Sequence, residues 1–429
     1  MTRIVLATAI VFLLSASVVN GAFLAPDPPP PSSPSKVDPT LEHYRQGVEA
    51  LRNNNVDSAE KEFAAAHAAN PRMPQALVGL ADVALRRGKR DEAKKWLGQA
   101  VELAPQDDVV QHSLFMFHFI GKDYPVAETA LRKAIELNPH NLRARLDLAD
   151  LYANTLKRPS DAIPAYRAAV QVDPTHAGAH QGLAMALAGT GQFKEAEAEY
   201  RKAAELAPDI PLPLHSLARM QLSRGQTDAG LASLDAALEV LPNFVPALLD
   251  KGDVLLGQGK AEAALALFDQ AVAADAKSAS AVFKRGAALQ LLKRHTEASE
   301  AYEQTIALDA NFAPAYNNLA WMQAESGGNL GQAEQWAATA VKLAPDSAAF
   351  RDTQGWVYRA QRKFSEAETV LEKAATMKPP LADVKYHLGL VYLDQRKTDQ
   401  AKKAFREALT IDAKHAPSKQ ALQKLGDAS

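Results

Sequence analysis

The sequence predicts an all-α fold, a solenoid of stacked helix–turn–helix units. Three observations carry that prediction. From Thr40 onward the chain is self-similar with a period of 34 residues. Each period holds two stretches with apolar residues at i, i+3 and i+4, the pattern of two amphipathic helices. Small residues recur at three fixed positions of the period, and small residues let paired helices approach closely.

Eleven periods tile residues 40–415, starting at 40, 74, 108, 142, 177, 211, 245, 279, 313, 348 and 382. The fragments SAEKEFAAAHAANP (58–71), EAKKWLGQAVELAP (92–105) and VAETALRKAIELNP (126–139) set the register. Position 20 is alanine in ten of the eleven, with Gly230 in the other. Position 27 is alanine in ten, with Thr305 the exception, and position 8 is glycine or alanine in ten, with Phe115 the exception. Position 32 is proline in eight and alanine in three. Two periods carry one extra residue each, placed in turns near LKRPS (156–160) and SGGNLG (326–331), where insertions are tolerated.

The punctuation agrees with helical hairpins. Gly88, Gly191, Gly225 and Gly259 all stand at position 15, where a left-handed residue would end the first helix. Asn70-Pro71, Asn138-Pro139 and Asp173-Pro174 stop the second. APSKQALQKLGDAS (416–429) reads as a short polar capping helix.

This pattern of small residues at 8, 20 and 27, a large apolar residue at 24 and proline at 32 resembles the tetratricopeptide repeat. The resemblance implies a right-handed superhelix whose first helices line a concave groove. It also implies a binding scaffold as the general role.

The N-terminus reads as a targeting segment. Arg3 is the sole charge before Asp27, and Ile4 to Val19 is an uninterrupted run without charges. Residues 1–25 are expected to be a secretory signal peptide cut after Gly21 or Ala22, or a retained membrane anchor with Arg3 on the cytoplasmic side. Either reading exports the rest, to the periplasm or anchored at the inner membrane. Residues 26–39, PDPPPPSSPSKVDP, form a proline-rich linker of semi-rigid type.

Composition removes whole classes of function. There is no cysteine, so disulfides, thiol nucleophiles and cysteine-ligated metals are excluded. Lys+Arg is 48 and Asp+Glu 50, a net charge of −2, without the basic excess that nucleic-acid binding needs. No phosphate loop, HExxH helix or GxSxG elbow occurs, so no catalytic residue, cofactor or metal is expected. The glycines of GDVLLGQGKAEA (252–263) follow a helix, so they read as a hairpin turn rather than a dinucleotide loop. His176 and His180 have helical metal-ligand spacing but no further ligand nearby in sequence. Glu195, Glu197 and Glu199 read as a solvated helix face.

The groove is the better place for function. In the resembled geometry, positions 2, 5, 9, 12 and 13 of the first helix face it. Large apolar residues there mark candidate ligand contacts. One cluster is Phe283, Trp321, Trp356 and Tyr386, with Asn317, Asp352 and Arg359 beside them. A second is His112, Met116 and Phe119. Aromatic residues flanked by polar groups suit a bound peptide or helix segment, and stacked rings also suit a glycan. The competing reading for both clusters is packing between neighbouring first helices, and Phe115 makes repacking of the third repeat the favoured reading there. Position 6 shows no asparagine ladder of the glycosyltransferase kind, and adjacent repeats lack a carboxylate-clamping Lys/Asn/Arg set.

Residues 317–346, 352–374 and 384–405 look like exported bacterial repeat proteins of polysaccharide biosynthesis and export systems. Those proteins begin as lipoproteins, and this chain has no cysteine to acylate. The expectation is a non-catalytic scaffold of the cell envelope with a protein partner, possible attachment to polysaccharide machinery and a glycan-binding alternative. Nucleic acid is not expected as a partner, and membrane contact is expected only through the N-terminal segment.

Overall fold

The computed structural model describes residues 38–426. The segment read as a targeting signal, nearly all of the proline-rich stretch and the last three residues of the tail lie outside the described residues. Among the described residues there are 23 α-helices and no strands. They run as eleven successive pairs followed by a single helix, Ala416–Lys424. The linker's last residue, Pro39, is already helical: Asp38 caps the first helix, its Oδ1 accepting from the Thr40 amide at 2.9 Å. The chain divides into two compact units, one ending at Gly225 and one beginning at Gln226, in the turn of the sixth repeat.

The repeat's position code follows from one ring. Phe63, at position 24, is fully buried. A methyl added at Gly47, position 8 of the same repeat, would come within 2.6 Å of that ring. One added at Gly79, position 6 of the next repeat, would do the same. Glycine at both places lets one ring fill the space under two successive first helices. Burying such a ring stabilises by roughly 1.5–3 kcal/mol. Tyr302 and Phe405 fill the corresponding sites beneath Gly286 and Gly389.

The exceptions are absorbed locally. Phe115, which breaks the rule at position 8, is itself fully buried and packs on His112 and Phe119, with the smaller Leu131 at position 24. Thr305 is fully buried and returns its hydroxyl to the Ala301 carbonyl at 2.8 Å. In the fourth repeat the extra residue is taken up as a π-helical turn, Leu151–Thr155. In the ninth, the first helix ends on the left-handed Gly327 and the second begins at Leu330. Beside the π turn, the Tyr166 hydroxyl donates to Asp150, and burial pushes that carboxyl up to about 6.

A second device ties some repeats to the next. Glu334, at position 21, accepts from Lys363 and Gln361 in the following turn at 2.8 and 2.9 Å. Those bonds hold its carboxyl below the usual carboxylate range. Glu368 does the same with Lys397 and Gln395, and Glu60 with Arg87. Such exposed pairs add little stability, but they favour one register between neighbours.

The turn itself is uniform. Gly88, Gly191, Gly225, Gly259 and Gly327 have φ between 67° and 81°. Where glycine is absent, Asn54, Lys122, Lys157, Lys293, Arg362 and Arg396 are held in the same left-handed region, at φ 54–63°. The hairpin therefore imposes this conformation on whatever residue stands there, at about 1–2 kcal/mol for a residue with a Cβ. Arg396→Gly is expected to raise stability by about 0.5–1 kcal/mol and Gly259→Ala to lower it by about 1 kcal/mol. Urea unfolding of the two variants checks both signs.

Candidate functional site

In the unit that begins at Gln226, three first helices carry the candidate site: Ala313–Ser326, Ala348–Ala360 and Ala382–Asp394. Residues at positions 5, 9 and 13 recur on one face of each, because three and four residues complete about a helical turn. Trp321 and Trp356, both at position 9, stack with centroids 5.7 Å apart and planes 18° apart. His387 lies against both, at 5.6 Å from Trp321 and 4.5 Å from Trp356.

Polar groups fix this stack. His387 Nδ1 meets both carboxylate oxygens of Asp352 at 2.9 and 2.8 Å. Asp352 is 7% exposed and His387 8%. The Trp356 indole N–H donates to Glu325 at 2.6 Å. Arg359 lies over the Trp356 ring at 4.6 Å and donates through Nε to Asp394 at 2.5 Å. Tyr386 continues the row, with His387, Phe405 and His415 at 5.5–5.7 Å. Asn317 donates to Asn318 at 3.2 Å, while its own carbonyl oxygen is buried without a hydrogen bond.

Trp321 differs from Trp356 in lining a cavity of about 670 Å³. Its apolar wall is completed by Met322 and by Leu291, which is 62% exposed. Lys293 and Glu325 bring charge to the rim, and His295, Gln290, Thr296 and Ser299 bring hydrogen-bonding groups. An open apolar wall with convergent polar groups is the ordinary make-up of a recognition site. No cluster of three metal-ligating side chains occurs among the described residues.

The other sequence candidates fall elsewhere. Phe283 packs on Tyr302 and Phe312 at 5.5 and 4.9 Å, so it serves the core. Met116 is 2% exposed and belongs to the core rather than to a ligand surface, because the third repeat repacks around Phe115. Phe119 is partly buried between Phe115 and Tyr124. His112 meets Asp147 of the next repeat at 2.6 Å. His176 caps its helix, its Nδ1 accepting from the Ala179 amide at 3.0 Å, and His180 pairs with Glu199 at 2.6 Å. Glu195 and Glu197 are likewise paired, with Arg167 and Arg201.

Sequence reasoning missed Leu291, Glu325 and His387. Leu291 and Glu325 stand at position 13, one of the groove positions, so the signal was present. An aliphatic and an acidic residue simply do not draw attention there. His387 stands at position 6, outside the groove set, and only its neighbour's Asp352 gives it meaning.

Paired helices that follow one another as repeated hairpins, with the candidate side chains on first helices, define a helical-repeat scaffold. Two family models, both described as tetratricopeptide repeat, match residues 50–114 and 155–218, and 121–171, 215–279, 249–311 and 353–416. The chain belongs to the tetratricopeptide repeat family, whose members are generally non-catalytic scaffolds. Cellulose synthase operon protein C of Xanthomonas axonopodis pv. citri (strain 306) is 31% identical over 184 residues. That match takes in 40% of this chain but 12% of the relative's length. Among solved structures, a tetratricopeptide repeat protein from Parabacteroides merdae is 19% identical, with 58% of this chain and 97% of that one covered and a TM-score of 0.48. Yeast Tom70 is 15% identical, with 90% and 95% covered and a TM-score of 0.42.

Removing either member of the Asp352–His387 pair strands the other in a nearly dry site. Asp352→Ala and His387→Ala are each expected to destabilise by about 3 kcal/mol. The double variant should lose clearly less than their sum, a coupling of about 1 kcal/mol or more. Chemical denaturation of the four proteins measures that cycle.

Proposed function

We propose that this chain is a non-catalytic scaffold of a bacterial cell envelope, and that it holds an extended segment of a partner protein over the Leu291–Trp321 surface. The observation that carries this is the cavity beside Trp321. An exposed leucine and an indole form one wall there, and the rim carries both charge signs and neutral hydrogen-bonding groups. An apolar side chain of the partner fits the wall, and its backbone amides fit the polar rim. The likeness to cellulose synthase operon protein C supports a place in polysaccharide machinery. The apolar run at residues 4–19 supports export.

The aromatic stack bears on the glycan alternative. Trp356 has Trp321, His387 and Arg359 packed against it, so it offers a sugar ring little free face. A row of stacking platforms reduces to Trp321 alone, which favours a protein segment.

Two tests follow. Leu291→Lys combined with Trp321→Ala is expected to abolish capture of envelope proteins by the immobilised chain, with helical content unchanged by circular dichroism. Undiminished capture refutes the surface, and retention on polysaccharide in place of protein favours the glycan alternative. For location, a reporter active only outside the cytoplasm, fused after Ser429, is expected to be active. Cytoplasmic confinement refutes the reading of residues 1–25.

A further inference from the structure

A second cavity, of about 460 Å³, lies in the unit that ends at Gly225. It is bounded by the second helix of the third repeat, Tyr124–Leu137, and by the helices of the fourth, Leu142–Asp150 with its π turn and Pro159–Val172. Small side chains give it room on one side. Positions 23 and 26 of the second helix are Trp96 and Gln99 in the second repeat and Glu199 and Lys202 in the fifth, but Ala165 and Ala168 in the fourth. Ala165, Ala168, Ile135 and Leu148 give the cavity an apolar lining.

Three guanidinium groups meet this lining: Arg132, Arg145 and Arg158. Two are held by acids. Arg132 donates to Glu128 at 3.0 Å and to the Tyr152 hydroxyl at 2.6 Å. Arg158 pairs with Asp161 at 2.5 Å and Glu128 at 3.5 Å. The Tyr152 ring, from the π turn, lies between them at 5.9 and 5.0 Å. The one further acid of the lining, Glu136, is paired with Lys133 at 3.2 Å. Arg145 is different. Its Nε and Nη2 both donate to the Pro139 carbonyl, at 2.9 and 2.7 Å, and it has no carboxylate partner among the described residues. A guanidinium has five donors in a rigid fork, so most of its hydrogen-bonding capacity remains open.

We propose that this cavity binds a small organic anion, with a phosphate or carboxylate head at Arg145 and Arg132 and an apolar body against Ile135, Leu148, Ala165 and Ala168. The volume suits a ligand of that size. The head supplies the counter-charge that Arg145 lacks, and planar guanidinium groups match such heads in two-point contact. The π turn falls where a local departure from the helix often marks a functional site. This site is independent of the Trp321 surface, which belongs to the other unit.

Phenyl phosphate is the probe, titrated calorimetrically into the full chain, with inorganic phosphate and hexanoate as separate arms. Phenyl phosphate is expected to bind one site at least about tenfold more tightly than inorganic phosphate, since the latter has no apolar body. Hexanoate binding would extend the site to carboxylates, and its absence would overturn that part of the assignment. Arg145→Gln is expected to weaken phenyl phosphate about tenfold or more. Ala168→Leu leaves every charge in place and fills the hollow, so it should also abolish binding; both variants are first matched to the parent in melting temperature. Arg145→Lys, which restores a charge, should recover part of the affinity. Equal binding of the two phosphates, no binding of phenyl phosphate, or full binding by Ala168→Leu overturns the proposal.

Discussion

The close approach of the first helices to the residue at position 24, large in ten of the eleven repeats and Ala337 in the ninth, is the constraint on which the rest depends. Phe63 can lie beneath two successive first helices only because Gly47 and Gly79 present no Cβ to it. That single contact fixes the distance between the helices of a hairpin and the distance to the next hairpin. It also concentrates the core on the buried side of the first helix, at positions such as 8, and on positions 20, 24 and 27 of the second. In the first three repeats positions 5, 9 and 12 still serve the core, through Tyr44, Val48, Leu51, Val78 and Met116, whereas in the later repeats these positions carry residues such as Trp321 and Trp356.

Freedom from one core does not mean exposure. Adjacent first helices can still pack on one another, and this chain does so through histidine–aspartate pairs. In the third and fourth repeats His112 stands at position 5 and Asp147 at position 6 of the next repeat, at 2.6 Å. In the tenth and eleventh the residue types are exchanged, Asp352 at position 5 and His387 at position 6. The same place thus takes either order. The ring partners differ: Phe115 for His112, two indoles for His387. In the later repeats the pair anchors a stack whose outermost member, Trp321, reaches an open cavity.

This explains how much could be read from the sequence. The hairpins and their register were legible because a rule that repeats at fixed spacing multiplies its own signal. Both one-residue insertions could be placed near their turns, although a π turn at Leu151–Thr155 could not be foreseen from LKRPS. The site was legible only in part. Trp321 and Trp356 stood out as large residues where the core asks for none. Whether an indole is covered depends on a partner 31 to 66 residues away, such as His387. No local pattern encodes that distance. Leu291 was overlooked for the opposite reason: an aliphatic residue on a helix looks like core until its neighbours prove too small or too remote to cover it.

A repeat protein can make a recognition surface in two physical ways, and both occur in this chain. One adds side chains to a face that packing leaves available, as Trp321 and Leu291 do on the first helices. The other leaves side chains off a face that larger residues occupy in some other repeats, as Ala165 and Ala168 do on a second helix. Addition leaves a strong compositional mark, since aromatics make up just 7% of the chain and two of its four tryptophans meet in one stack. Removal leaves almost none, because two more alanines are inconspicuous in a sequence already rich in them. The cavity beside Arg145 appears only once three helices are in place around those alanines. Sites of the second kind are therefore invisible to a search for unusual residues, and in alanine-rich repeats they have to be sought as the absence of bulk next to an uncompensated charge.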